Sequence, residues 1–119
     1  MERTVSVERL YSLGDFQNIK FTTTVSGVPD ELANNDNVTA LLFLQGSLAC
    51  DIAYVEYKKR REELKGEKAE EILAKLKQER EDTYMELKAE IDSVNSKFEK
   101  TPQWRPFGRD MTNKETTNE

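Results

Sequence analysis

The sequence predicts an α+β protein in which an N-terminal β-hairpin packs on a hydrophobic helix, followed by a long charged helix and a flexible tail. Three patterns indicate this class: two early segments that alternate apolar and polar residues, an apolar helical stripe after residue 38, and a highly charged helical segment after residue 66. We expect residues 1–64 to form the hairpin and helix body, 65–100 the long charged helix, and 101–119 the flexible tail.

Two strands account for the start of the chain. Their apolar residues lie at alternate positions, which is typical of half-buried strands: Val5, Val7, Tyr11 and Leu13 in the first, and Ile19, Phe21 and Val25 in the second. Gly14-Asp15 supplies the turn, but a strict two-residue loop would place apolar residues opposite polar ones. We therefore predict an odd loop or a bulge, with Tyr11 opposite Ile19, Arg9 opposite Phe21 and Val5 opposite Val25.

A hydrophobic helix follows the hairpin. Gly27-Val28-Pro29-Asp30 ends the hairpin and opens a short helical turn, and residues 34–37 form a turn cluster that ends in an N-cap. The helix is expected from about Val38 to Leu64. Its apolar stripe has spacings of three and one, and four further large residues lie off it. The stripe contains Val38, Leu41, Leu42, Gln45, Leu48, Ala49, Ile52 and Val55; the others are Phe43, Leu44, Tyr54 and Tyr57.

The second long helix is expected from about Glu67 to Lys100, where Thr101-Pro102 stops it. Its second half spaces apolar residues by four and three, as in a coiled-coil seam: Leu87, Ile91, Val94 and Phe98. A helix of this length would measure about 50 Å, so we expect its far part to project or to pack on a second copy. The polar end of the tail, residues 112–119, is expected to be disordered.

Composition argues against an enzyme. The chain has no histidine and one cysteine, which excludes histidine acid/base catalysis, Cys/His zinc sites and an internal disulfide. We expect no cofactor and no metal. Asp51 interrupts the apolar helix and could be a partly buried acid, but a carboxylate that faces solvent or accepts a hydrogen bond from the hairpin is the simpler interpretation. Cys50 is interpreted as a core residue, because no histidine can activate it.

The charge distribution disfavours nucleic-acid binding. Residues 1–57 contain three basic and eight acidic side chains, so the whole net charge of −5 lies in this apolar half, and a negative surface repels phosphates. The dense basic cluster is Lys58, Lys59, Arg60 and Arg61. It could contact nucleic acid, but Glu62 and Glu63 follow it directly and can neutralise it.

The tail carries an isolated aromatic and basic motif, Trp104, Arg105, Pro106 and Phe107. Trp and Arg are typical anchors of protein interfaces, so this tail motif is the predicted partner-binding element. The alternative is that it docks on uncovered apolar surface of the first long helix. Both interpretations remain open at this point.

The hairpin segment Val7–Phe21 resembles the opening hairpin of small phage and prophage proteins of unassigned activity. The matching positions are Leu13, Gly14, Asp15, Phe16 and Ile19, within about fifteen of the 119 residues. The resemblance implies an accessory or inhibitor protein of a phage or mobile element. It implies no functional residue, since the group has no assigned chemistry.

These observations favour a non-enzymatic factor that binds another protein through the long charged helix and the tail motif, and that also forms a homodimer. Two strands alone are marginally stable, and the first helix is apolar on more than one side, so both need cover. The rival hypothesis is a nucleic-acid-associated factor that uses Lys58–Arg61. The N-terminus lacks the apolar stretch of a signal peptide, and the apolar run Val38–Cys50 is shorter than the roughly 20 residues of a membrane span. We therefore expect a cytoplasmic protein, in the host cytoplasm if phage-encoded, with no membrane association.

Overall fold

A computed structural model describes residues 2–14, 16–96 and 111–118. Its α+β architecture confirms the predicted fold class: an antiparallel hairpin precedes the helices, and a further strand follows them. The elements are β1 (Glu2–Gly14), β2 (Gln17–Pro29), α1 (Asp30–Ala33), α2 (Asp36–Arg60), α3 (Gly66–Asn95) and β3 (Met111–Asn118). In the described part of the chain the strands form one sheet in the order β1-β2-β3.

The hairpin has the register that the alternation predicts. Tyr11 pairs with Ile19, Arg9 with Phe21 and Val5 with Val25. The register then shifts between Ser12 and Gly14, so Leu13 is the extra residue of a bulge next to the turn. Positive φ angles of 81° at Gly14 and 63° at Phe16 allow the chain to reverse here. The predicted bulge is therefore confirmed.

In place of the disorder expected for residues 112–119, the structure has a third strand. β3 runs antiparallel to β2, with Met111 opposite Val25 and Asn118 opposite Asn18. The expectation of disorder rested on the lack of apolar side chains, whereas strand pairing is made by backbone groups, and the three threonines of this segment suit an extended chain. β2 is thereby the central strand, with a neighbour on each side.

α2 begins and ends close to the predicted residues. Its N-cap is Asn35, whose side chain accepts from the Val38 N–H at 3.1 Å, two residues before the predicted cap. It ends at Arg60 rather than Leu64 because Glu62 takes a left-handed conformation with φ 59°. The N–H groups of Glu62 and Glu63 then donate to the carbonyls of Lys59 and Lys58 at 3.1 and 3.0 Å, which is the Schellman arrangement that closes a helix.

α2 is the centre of the molecule. The sheet covers one side of it and α3 covers another. Seven of the eight residues of the predicted stripe are buried, and Leu41 is partly buried. The N-terminal part of α2 packs with the C-terminal part of α3, and the C-terminal part of α2 with the N-terminal part of α3, so the two helices are antiparallel. An apolar helix thus becomes a core helix.

α2 is also long and apolar enough to cross a membrane. Half of its most apolar 18-residue stretch is buried inside the molecule. The core helix of a soluble protein can have the same length and composition.

The apolar seam of α3 packs inside the molecule. Leu87, Ile91 and Val94 join Val25 and Leu32 in one cluster with the start of α2. This corrects the expectation that the far part of the helix projects or packs on a second copy. The seam packs on apolar residues of β2, α1 and α2 in the same chain, so it is not available to a second copy. Phe98, the last seam residue, lies outside the described residues.

Gly46 sets the distance between α2 and the hairpin. A Cβ atom at this position would lie 2.7 Å from Cγ2 and 3.0 Å from Cβ of Val7 in β1, and 3.8 Å from Cβ of Thr23 in β2. Val7 is β-branched, so its atoms cannot rotate away from the helix freely. The sheet can approach α2 this closely only because residue 46 has no side chain.

We expect Gly46→Ala to destabilise the fold by about 1 kcal/mol. Overpacking costs about 1–3 kcal/mol, and the better helix propensity of alanine returns about 1 kcal/mol. Urea unfolding measures the difference. Gly66→Ala is the matched control, since Gly66 is also helical but has open space where the Cβ would lie; it should be neutral or slightly stabilising. A Gly46→Ala protein as stable as the unsubstituted chain would contradict the close packing.

Candidate interaction surfaces

Asp51 anchors the hairpin to α2. Its carboxylate accepts a short hydrogen bond from the Tyr11 hydroxyl, and Nε of Arg9 lies 3.5 Å from the same oxygen. Burial, and then the hydrogen bond to Asp51, raise the pKa of Tyr11 above its ordinary value, so the phenol stays protonated and acts as a donor. The simpler interpretation of Asp51, an acceptor for the hairpin, is confirmed.

Aromatic rings continue this anchor along α2. The Tyr11 ring stacks on Tyr54 with centroids 4.1 Å apart and an interplanar angle of 12°. Phe21 of β2 meets Tyr57 edge to face at 6.4 Å. Tyr54 and Tyr57, two of the four residues off the stripe, are therefore covered by the hairpin. Such ring pairs stabilise by roughly 0.5–1.5 kcal/mol beyond the area that they bury.

Tyr11→Phe should cost about 1 kcal/mol at neutral pH, because the ring stack remains and only the hydrogen bond to the carboxylate is lost. The raised pKa also fixes the direction of the pH dependence. A phenol whose pKa is higher in the folded state stabilises the fold below its unfolded pKa of about 10, and this contribution is lost as the pH rises further.

Urea unfolding at about pH 8 and about pH 11 measures both effects, on either side of the ordinary tyrosine pKa. The unsubstituted protein should lose more stability between the two pH values than Tyr11→Phe does. Tyr54→Phe is the control, since it removes a hydroxyl from the same ring stack but leaves the bond between Tyr11 and Asp51 intact. If the unsubstituted chain and Tyr11→Phe lost the same free energy of unfolding between the two pH values, the Tyr11 hydroxyl would not contribute to the pH dependence of stability.

Cys50 is a core residue, as the sequence predicts. Its side chain is fully buried, and its sulfur lies 3.3 Å from the Thr23 hydroxyl and 3.5 Å from the Phe21 carbonyl oxygen. Burial raises the pKa of the thiol, which disfavours the reactive thiolate. The sulfur fills the space between α2 and β2.

The basic cluster Lys58–Arg61 makes contacts within the chain. Lys59 pairs with Glu70 of α3, and Lys58 lies over the Tyr54 ring at 5.4 Å. Arg61 donates to the Tyr57 hydroxyl at 2.8 Å and lies 3.4 Å from Glu63. Glu63 therefore neutralises part of the cluster, as the sequence suggests, but Glu70 was not predicted, because nothing in the spacing shows which α3 residue comes near Lys59.

A strip of α2 remains uncovered by the described residues. Ala40, Phe43, Leu44 and Ser47 lie at helical spacings of three and four, so they share one face. Phe43 is 45% exposed and Leu44 46%. We call this face the uncovered strip. The outer edge of β1 has no strand partner among the described residues.

A groove lies next to the uncovered strip, between the N-terminal half of α2 and the C-terminal half of α3. Its volume is about 470 Å³. The lining combines small or apolar side chains with two carboxylates and one amide: Ala40, Leu41, Ala89, Glu86, Glu90 and Asn37. We call it the acidic groove. Ala40 belongs to both the groove and the strip, so the two surfaces are continuous.

The contact between the middle parts of the two helices is polar. Gln45 is 1% exposed and donates to the Arg80 carbonyl oxygen at 2.6 Å. A groove of about 420 Å³ beside it is lined by Gln45, Lys77, Arg80, Glu81 and Tyr84. Arg80 belongs to a run of six polar residues, 77–82, that interrupts the apolar pattern of α3, and Gln45 is the one polar residue of the α2 stripe. This contact fixes how the helices align.

The tail motif Trp104, Arg105, Pro106 and Phe107, predicted to bind a partner, lies outside the described residues. The part of the chain that the structure describes contains no group of three or more acidic or cysteine side chains placed to hold a metal ion. The uncovered strip and the acidic groove were not predicted as sites, although Phe43 and Leu44 were noted as residues off the stripe.

Comparison with known proteins finds no matching family model, no similar curated protein and no similar solved structure.

Proposed function

We propose that the protein is a non-enzymatic interaction factor that forms a homodimer through the uncovered strip of α2. The exposure of Phe43 and Leu44 supports this most directly, since the other large apolar side chains of α2 are buried or half-buried. Contiguous exposed apolar side chains are typical of contact sites. The setting that the hairpin resemblance suggests is a cytoplasmic accessory or inhibitor protein of a phage, which binds a further protein as a dimer.

The composition of the strip favours a second copy as its occupant. A two-fold contact requires a surface that complements itself. The strip has two large residues in its middle and a small residue at each end, so Phe43 or Leu44 of one copy can fill the space over Ala40 or Ser47 of the other.

The open edge of β1 is a weaker candidate for the dimer contact. A two-fold axis between two antiparallel strands keeps each sheet face on its own side, so even-numbered residues must lie opposite even-numbered ones. The acids of β1, Glu2 and Glu8, are even-numbered, and its bases, Arg3 and Arg9, are odd-numbered. No symmetric register can therefore place an acid opposite a base, and the edge offers no charge pairing to a second copy.

The contacts of the basic cluster favour this proposal over nucleic-acid binding. Lys59 and Arg61 pair with Glu70 and Glu63, and phosphate binding would have to break these pairs. Net negative charge in residues 1–57 opposes the approach of nucleic acid as well.

Sedimentation velocity over a range of concentrations tests the proposal. The unsubstituted chain should form a species of twice 13.8 kDa, and Phe43→Glu/Leu44→Glu should remain monomeric because two charges would be buried at the contact. Ala40→Arg is a second variant that blocks the strip without removing apolar packing. Circular dichroism and thermal unfolding would show that each variant is folded.

Ile72→Glu is the matched control, since Ile72 is 38% exposed but lies in the N-terminal part of α3, which packs on the other end of α2 from the strip. It should dimerise like the unsubstituted chain. A monomer at all concentrations, or a dimer unaffected by the strip variants, would contradict the proposal.

A further inference from the structure

The acidic groove combines apolar and charged side chains. Half-buried Leu41 forms its floor, the exposed Ala40 and Ala89 add apolar surface, and Glu86 and Glu90 stand one helical turn apart on the α3 side. A site of this kind fits a peptide with an apolar anchor and basic neighbours. The carboxylates pair with the bases while the anchor leaves water.

From this surface we infer that residues 103–109 of the same molecule dock in the acidic groove, with Trp104 as the anchor. This segment, Gln-Trp-Arg-Pro-Phe-Gly-Arg, contains two arginines, two aromatic residues and no acid. Its chemistry is complementary to the groove in both charge and apolarity. The inference deepens the proposed function, on which it rests for the role of the adjoining strip.

The positions of the chain ends allow the contact within one molecule. Residues 97–110 join the end of α3 to the start of β3. Ile91 and Val94 near that end, and Val25, which lies opposite Met111, belong to the same core cluster, and Leu41 of the groove floor packs against it. Both ends of the segment are thus attached close to the groove.

The distances are short enough. Glu90 lies six residues before Ser96, or about 9 Å along the helix, whereas the eight residues from Ser96 to Trp104 can span about 26 Å when extended. Trp104 can therefore turn back to the groove without displacing α3 or β3. Attachment at both ends also gives the segment a high effective concentration at the groove, of the millimolar order typical of short tethers.

Docking would enlarge the apolar surface of the uncovered strip. Ala40 lies between the groove and Leu44, so an aromatic residue seated in the groove would extend the apolar strip on its α3 side. The segment then contributes to the surface that the second copy contacts. Binding of the tail motif to a different protein would require its release from the groove.

Trp104 is the sole tryptophan of the chain, so its fluorescence reports on this segment alone. We compare the full-length protein with a synthetic peptide of residues 103–109. In the protein the emission should be shifted to shorter wavelength, and acrylamide should quench it less than in the peptide, at every protein concentration.

Charge reversal tests whether the groove is responsible. Glu86→Lys/Glu90→Lys should shift the emission and the quenching towards those of the free peptide. Arg105→Glu/Arg109→Glu should do the same, and the four changes combined should restore the protected tryptophan. Glu67→Lys/Glu71→Lys is the matched control, because it reverses two glutamates with the same spacing at the other end of α3.

Three results would overturn the inference. One is a tryptophan as accessible in the protein as in the peptide. Another is protection that Glu86→Lys/Glu90→Lys leaves unchanged. The last is protection that is lost on dilution, which would mean that the segment docks on a second copy. Sedimentation of the Phe43 and Leu44 variants tests the dimer separately, so failure of one proposal is distinguishable from failure of the other.

Discussion

The burial of α2 is the constraint on which the remaining structure depends. A helix of 25 residues with apolar side chains around most of its circumference cannot be covered by one neighbour, because a single packed element hides only one stripe. The hairpin lies on one side and α3 on another, and each brings apolar residues that need the same cover. The three elements are therefore stable together, although a two-stranded hairpin would be marginal alone.

Local features make this double cover possible. Gly46 lets β1 and β2 approach the helix axis, and the bond between Tyr11 and Asp51 fixes the hairpin along it. On the other side, the buried Gln45 aligns α3 with α2 through the Arg80 carbonyl. The hairpin and α3 leave only a narrow apolar face of α2 exposed. It contains Phe43 and Leu44 and adjoins the acidic groove. The candidate contact surface is the remainder of the core helix, and it differs from the helix seam that the sequence had suggested for a partner.

The sequence predicts features whose pattern repeats along the chain. Alternation placed Tyr11 opposite Ile19 and required a bulge, and helical spacing identified the buried stripe of α2. Features that depend on contacts between distant segments could not be predicted in this way. The seam of α3 has the spacing of a coiled coil whether its partner is a second copy or α2, and only the tertiary structure shows that Leu87 and Ile91 pack inside.

Two other differences have a similar origin. β3 pairs through its backbone, so its polar composition gave no sign of it. The end of α2 at Arg60 was missed because the left-handed residue that closes a helix is usually glycine, whereas here it is Glu62. The candidate surfaces were only partly predictable: Phe43 and Leu44 were seen to need cover, but the acidic groove is formed by residues almost fifty positions apart in the chain.

Native-state hydrogen exchange tests the central place of α2 most directly. If the sheet and α3 share α2 as a common core, its amide protons between Leu42 and Tyr57 should exchange only when the whole molecule unfolds, with the free energy that urea unfolding measures. α3 and the hairpin should then not detach at a much lower free energy. Exchange of the α2 amides through a partial opening, while the hairpin stays protected, would contradict the account.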